Sequence, residues 1–188
     1  MSVVSWTATF VVVVAVFIGV VLDKSPSWHS LRDNVFSRKW EAALLFEGQT
    51  IDIARAKNGV VHLHGNGSKA FAHGLGYIHA KERLLQMVLM RSAAQGRLVE
   101  LFPTTEDTLN MDIMARSMEF GNRAAKALLQ FDSDVVAFLE AYSQGVNTYM
   151  DTHWRPVELR IARVDPDPWQ PVDCVAISFI MSYLGKTA

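Results

Sequence analysis

Cysteine is nearly absent: Cys174 is the only one in the chain, and a single thiol cannot close an internal disulfide. Charge of one sign is absent too. Eighteen basic residues against nineteen acidic leave a formal charge of −1, so no face for nucleic acid is expected. Internal repeats and low-complexity tracts are missing as well, which argues against a solenoid. Proline is scarce, and four of the six fall between Pro156 and Pro171. Residues 153–171 therefore read as irregular, because each proline ring fixes φ and removes an N–H. Cys174 precedes the apolar run Val175-Ala176-Ile177, the setting of a buried inert thiol and not of a nucleophile.

Charge is also missing from Val3 to Leu22, a stretch broken only by Ser5, Trp6, Thr7 and Thr9. Its twenty residues would make a helix of ~30 Å, the thickness of a bilayer core. A cleaved signal peptide is the rival reading, but Met1-Ser2-Val3 carries no basic residue and Gly19–Lys24 offers no small-x-small cleavage site. An uncleaved transmembrane anchor over 3–22 is the expectation. Lys24, Arg32, Arg38 and Lys39 follow it and by the positive-inside rule would hold the C-terminal side in the cytoplasm. Residues 23–47 read as a stalk, with a turn at Ser25-Pro26-Ser27 and a short helical piece near Trp40–Phe46.

The remainder, 48–188, is long enough for a core of its own. Ile51, Ile53 and Arg55 alternate with Asp52 and Ala54 before Asn58-Gly59, and Val60 to His64 continues extended. That pattern predicts a β-hairpin. His62 and His64 share one face of a strand, with His73 and His79 not far along the chain. No cysteine or carboxylate completes a metal-ligand spacing, so structural histidines are expected and no metal.

Helical periodicity then takes over. In 70–95, Leu84, Met87 or Val88, Arg91 and Ala94 or Gln95 recur at helical spacing, and Gly96 closes the run as a left-handed cap. Thr104-Thr105-Glu106-Asp107 reads as a helix start with a threonine cap and acids in the first turn. Asp112 and Arg116 stand one turn apart and could pair, for ~0.3–0.5 kcal/mol if exposed. Asp132 or Ser133 caps a longer helix whose stripe is Val135, Phe138 or Leu139, Tyr142, Val146 and Tyr149. Gly145 inside it costs ~1 kcal/mol against alanine, which points to a close approach by another element. A last helix begins near Asp173, with Val175 to Tyr183 almost wholly apolar.

Several of these elements together resemble the penicillin amidase (penicillin acylase) family. The residues that carry the resemblance are Gly76-Tyr77, Ala80, Glu82-Arg83, Gln86-Met87, Gly96-Arg97 and Glu100. Arg55, Gly59, Val60 and His62 match the hairpin of that family, while Ala56 replaces its aspartate, Val61 its proline and Leu63 its isoleucine. Leu109, Asp112 and Arg116, then Gly145-Val146-Asn147 with Tyr149, Pro156-x-Glu158 and Trp169-x-Pro171-x-Asp173 extend the match.

The resemblance implies an N-terminal nucleophile hydrolase of αββα fold, made as a precursor and cut into α and β chains. Residues 48–188 are similar to the α part: mainly α with a short N-terminal β-hairpin, preceded by the transmembrane helix. The implied reaction is hydrolysis of a linear acyl amide. Its nucleophile, a serine or a related residue, would begin the β chain, with its own α-amine as base, so no catalytic residue is expected here. The last helix would line the acyl pocket, which makes Met181, Ser182 and Tyr183 the substrate-binding candidates. Plain core packing is the competing account of those three. The implied partners are the β chain, an acylated small molecule and, through 3–22, a membrane. Structural calcium is common in the family, but no ligands for it are identifiable here and no cofactor is expected in this chain. Related amidases are commonly exported, which implies an extracytoplasmic location against the charge-based orientation. The alternative function is a non-catalytic, membrane-anchored helical interaction protein or a truncated family member.

Overall fold

The computed structural model describes residues 41–56, 59–102 and 104–187, with side chains from 43 to 185. The anchor expected at 3–22 and nearly all of the stalk lie outside these residues. No helix among the described residues is long and apolar enough to cross a membrane.

The first element corrects two expectations. Where a helical piece was expected near Trp40–Phe46, the chain forms strand β1, Glu41–Phe46. With β2 (Gln49–Arg55) and β3 (Val61–His64) it makes a three-stranded sheet in the order β1-β2-β3, so the hairpin is part of a meander. The reason lies in the connection. Glu47 and Gly48 take φ of 48° and 76°, the paired left-handed geometry of a two-residue type I′ turn. Period-two burial follows: Phe46 is buried, Leu44 half-buried and Leu45 exposed. A run of alanine and leucine has helical propensity, but the strand pairing overrides it.

By its contacts the chain divides into residues 1–41 with 54–62 and residues 42–53 with 63–188. In the first unit, the described residues are Glu41 and those around the hairpin tip. The Ala56 N–H donates to Val60 O (2.9 Å), the Gly59 N–H to Ala56 O (2.9 Å), and Arg55 Nη1 to Gly59 O (2.9 Å).

The second unit is mostly helical. Its elements are α1 (Gly67–Gln95), a 3₁₀ turn (Leu98–Glu100), α2 (Glu106–Ser117), α3 (Phe120–Leu128), α4 (Ser133–Thr152), α5 (Val157–Ile161) and α6 (Pro171–Thr187). Both predicted helix signals hold. Gly96 is left-handed at φ 65°, its N–H bonds Ala93 O and the Arg97 N–H bonds Ser92 O, a Schellman closure. Thr105 accepts from the Thr108 N–H while Thr108 Oγ1 accepts from the Thr105 N–H, a reciprocal cap.

Helices α1 and α4 cross at two glycines. A Cβ on Gly76 would strike the carbonyl oxygen of Tyr142, and one on Gly145 would strike that of His73. The close approach foreseen at Gly145 is therefore mutual. It also shifts the buried face of α4: Ala141, Ser143, Gly145 and Val146 are buried, whereas Val135 is exposed. Small residues decide this contact because backbones can meet only where Cβ atoms are absent.

The sheet leans on the first half of α1. Ile51 and Ile53 are fully buried, and Ile51 and Leu63 pack over Gly74. Beside them the Phe46 ring stacks on His73 at 4.5 Å. His73 Nε2 lies 3.2 Å from Thr148 Oγ1, and its buried Nδ1 has no partner among the described residues. Burial holds the His73 pKa below its ordinary 6.5. The folded state thus resists a proton that the unfolded state accepts below about pH 6.5. Stability from this site is present above that pH and declines as pH falls below it. The urea midpoint is expected to drop between about pH 7.5 and 5.5, and His73→Gln to flatten part of that drop. An unchanged slope in the variant would remove His73 from the account.

Candidate functional site

The site candidates sit on α6, and the start of that helix is fixed by buried polar contacts. Pro171 opens the helix, where its missing N–H leaves nothing unsatisfied. Asp173, in the first turn, is buried and reaches back to accept the Gln170 N–H at 2.9 Å. From α1, Gln95 Nε2 donates to its other oxygen at 3.0 Å and Arg91 Nη1 lies 3.5 Å away. Arg91 is itself buried and also donates to Asp167 O (2.9 Å), and its guanidinium sits 5.1 Å over the Trp169 ring. From α4, Asn147 clamps Trp169 in both directions: Nδ2 donates to Trp169 O (3.0 Å) and Oδ1 accepts the Trp169 N–H (2.7 Å). Burial pushes the Asp173 carboxyl above its usual range, against the opposing pull of the Gln170 N–H and Arg91. The proline-rich loop is thereby held from two helices, and α6 starts from a defined point.

Along α6, Val175, Ala176 and Ile180 are buried in a core shared with Phe120 and Ala124 of α3 and Ala93, Ala94 and Ala115. The helix is thus covered on one side, although its sequence is apolar nearly all round. Its other side exposes Ser178, Met181, Ser182 and Leu184.

The three candidates separate accordingly. Ser182 and Tyr183 line a cleft of about 270 Å³ with Met118, Phe120, Arg123 and Phe179, and the Tyr183 and Phe120 rings lie 6.0 Å apart. Met181 is half-exposed and does not line that cleft. Ser182 Oγ donates to Ser178 O at 2.7 Å within its own helix, so its hydroxyl is occupied as a helix-surface group and not poised as a nucleophile.

A second concavity, of about 390 Å³, lies between α1, α4 and the start of α6, with Met87, Met90, Leu139 and Trp169 among its walls. Cys174 borders it, half-buried, accepting from Trp169 Nε1 at 3.3 Å. Burial raises the Cys174 thiol above its ordinary range, in keeping with the inert role read from its neighbours. His79 Nδ1 and the Tyr142 hydroxyl meet at 3.0 Å on the same wall.

Other expected groups land elsewhere. Asp112 and Arg116 serve different backbone targets. Asp112 is buried and accepts the Leu98 and Val99 N–H groups (2.8 and 3.0 Å), capping the 3₁₀ turn, while Arg116 Nε donates to Gly96 O at 2.9 Å. His73 and His79 are in α1 and His64 is exposed on β3. Among the described residues no three His, Cys, Asp or Glu side chains gather as a metal site. In the sequence Arg91 and Asn147 stand only as positions in a helix pattern and a motif. Their type alone is the signal, since a charged or amide side chain on a buried helix face must find partners.

A small sheet against a long helix, crossed by a second helix at paired glycines and closed by a pinned C-terminal helix, is an architecture already known. The fold is that of a chain of the thermostable penicillin G acylase from Alcaligenes faecalis, with a TM-score of 0.62 at 21% identity, covering 69% of this chain and 70% of that one. Residues 50–188 match the sequence model of the penicillin amidase family, and the chain belongs to that family. It is 29% identical over 137 residues to the acyl-homoserine lactone acylase QuiP of Pseudomonas putida, covering 72% of this chain and 17% of that protein. To the penicillin acylase 2 proenzyme of Pseudomonas sp. (strain SE83) it is 28% identical over 120 residues, covering 63% of this chain and 15% of the relative. The chain therefore spans less than a fifth of the length of these curated relatives.

Proposed function

We infer that this chain is the α-chain part of an acylase that hydrolyses linear acyl amides, assembled in the αββα N-terminal nucleophile fold. The observation that carries the reading is the family match over 50–188. The chain contributes the scaffold; Ser182 and Tyr183 with Phe120 form one wall of the acyl pocket, and Met181, exposed on the same helix outside that cleft, is the third acyl contact. The wall is mainly apolar, with Arg123 and the Ser182 hydroxyl as its polar members, and rests in part on a helix anchored by Arg91 and Asp173, which suits a site that must hold an acyl group in register while a nucleophile attacks. The nucleophile and its amine base come from a β chain, which also covers the exposed side of α6. An N-acylated small molecule is the substrate class; both an acyl-homoserine lactone and a penicillin, through its side-chain amide, belong to it. The assembly lies outside the cytoplasm, tethered by residues 3–22. Any structural calcium is bound by the β chain or shared with it.

The 188-residue chain alone is expected to show no turnover of N-acyl homoserine lactones or penicillin G. Coexpressed with downstream coding sequence that matches the remainder of the relatives, it is expected to gain that turnover. Hydrolysis by the chain alone that a substitution within it abolishes, or none by the coexpressed pair, overturns the reading.

A further inference from the structure

The concavity between α1, α4 and α6 shares no lining residue with the cleft at Ser182 and Tyr183. At about 390 Å³ it falls within the size range of small-molecule sites, and its walls are mainly apolar. Its charge is one-sided. Among the described residues Arg83 is the sole formally charged side chain on the lining, and none of them that borders the space is an aspartate or glutamate. Arg83 is exposed, and no ion pair holds it among the described residues. The backbone of α1 leaves helical geometry at this same residue (φ −142°, ψ 20°). A proline, the usual cause of such a kink, is absent from α1. On the same wall burial lowers the His79 pKa and raises that of Tyr142.

We propose that this groove binds an amphiphilic monocarboxylate, its tail against Met87, Met90, Leu139 and Trp169 and its carboxylate on the Arg83 guanidinium. An apolar trough with a single unpaired cation at its rim selects such a molecule over a neutral or cationic one of equal tail length, since a guanidinium pairs a carboxylate through two parallel N–H bonds. The inference stands whether or not the acylase reading does.

Cys174 provides the reporter, being the single cysteine and bordering the groove. Its alkylation by N-ethylmaleimide, an uncharged reagent, is followed in the full 188-residue chain with decanoate or decylammonium below their micellar concentrations. Decanoate is expected to slow alkylation saturably, with a half-point about tenfold lower than decylammonium. Arg83→Gln is expected to erase that difference and Arg83→Glu to invert it. Equal protection by both amphiphiles, or protection by neither, overturns the proposal. The comparison of the two ligands on the unaltered chain decides the matter even where an Arg83 variant folds poorly.

Discussion

Gly145→Ala is expected to destabilise the protein by about 3 kcal/mol, the upper end for forced overpacking. The added methyl would meet the His73 carbonyl oxygen, with the His73 carbonyl carbon at 2.8 Å and the Tyr77 nitrogen at 3.0 Å. These are main-chain atoms of a helix, so no rotamer change relieves the clash, and the helices must part along their whole contact. Gly76→Ala meets the Tyr142 carbonyl and is expected to cost a similar amount. Because one separation relieves both clashes, the double variant should lose clearly less than the sum of the singles. Gly121→Ala is the control. Nothing lies within 4 Å of a Cβ there, and its stability should stay level or rise by ~0.5 kcal/mol. Urea midpoints of the four variants against the original protein measure this. A Gly145→Ala protein within about 0.5 kcal/mol of the original would contradict the crossing described.

Asp173→Ala should be comparably severe, at about 3–5 kcal/mol, the range for stranding a buried charge. Arg91 and Asp173 have side-chain exposures of 6% and 5%, so Arg91 would keep its burial and lose its carboxylate. Removing both charges, as Arg91→Met with Asp173→Leu, should restore part of the loss. The recovery stays partial because Gln95 and the Gln170 N–H also lose their acceptor. A loss below about 1 kcal/mol in Asp173→Ala would show the pair to be effectively solvated and the anchoring of α6 to come from packing alone.

What the sequence revealed in advance was set by locality. The Gly96 cap, the Thr105 cap and the hairpin turn are complete within a few residues, so their signals lie side by side in the chain. Gly145 was legible for a different reason: a glycine in a helix interior costs enough to demand an explanation. Strand β1 was not legible, since Ala-Ala-Leu-Leu suits a helix and only the left-handed turn at Glu47-Gly48 tips it into the sheet. The anchoring of α6 was hidden because its partners are 76 to 82 residues apart in sequence. Asp112 had an arginine one turn away as an obvious mate, yet two backbone N–H groups 13 and 14 residues upstream claimed it. A pair of free N–H groups at a turn leaves no mark in residue types.

The glycine crossing also sets a schedule for biosynthesis. The first half of α1 carries Gly74 and Gly76, poor residues for an isolated helix, and the neighbours that hold it, such as Thr148 opposite His73, lie 75 residues further on. At 5–20 residues per second a ribosome delivers them roughly 4–15 s after α1 has emerged. For that interval Ala80, which shares a core with Val146 of α4 in the finished fold, faces water on a helix that can barely persist. A nascent chain arrested before α4 should accordingly be open to proteases and chaperones along α1; protection should reach the first half as Gly145 clears the exit tunnel and the second half only once α6, which packs on Ala93 and Ala94, has followed.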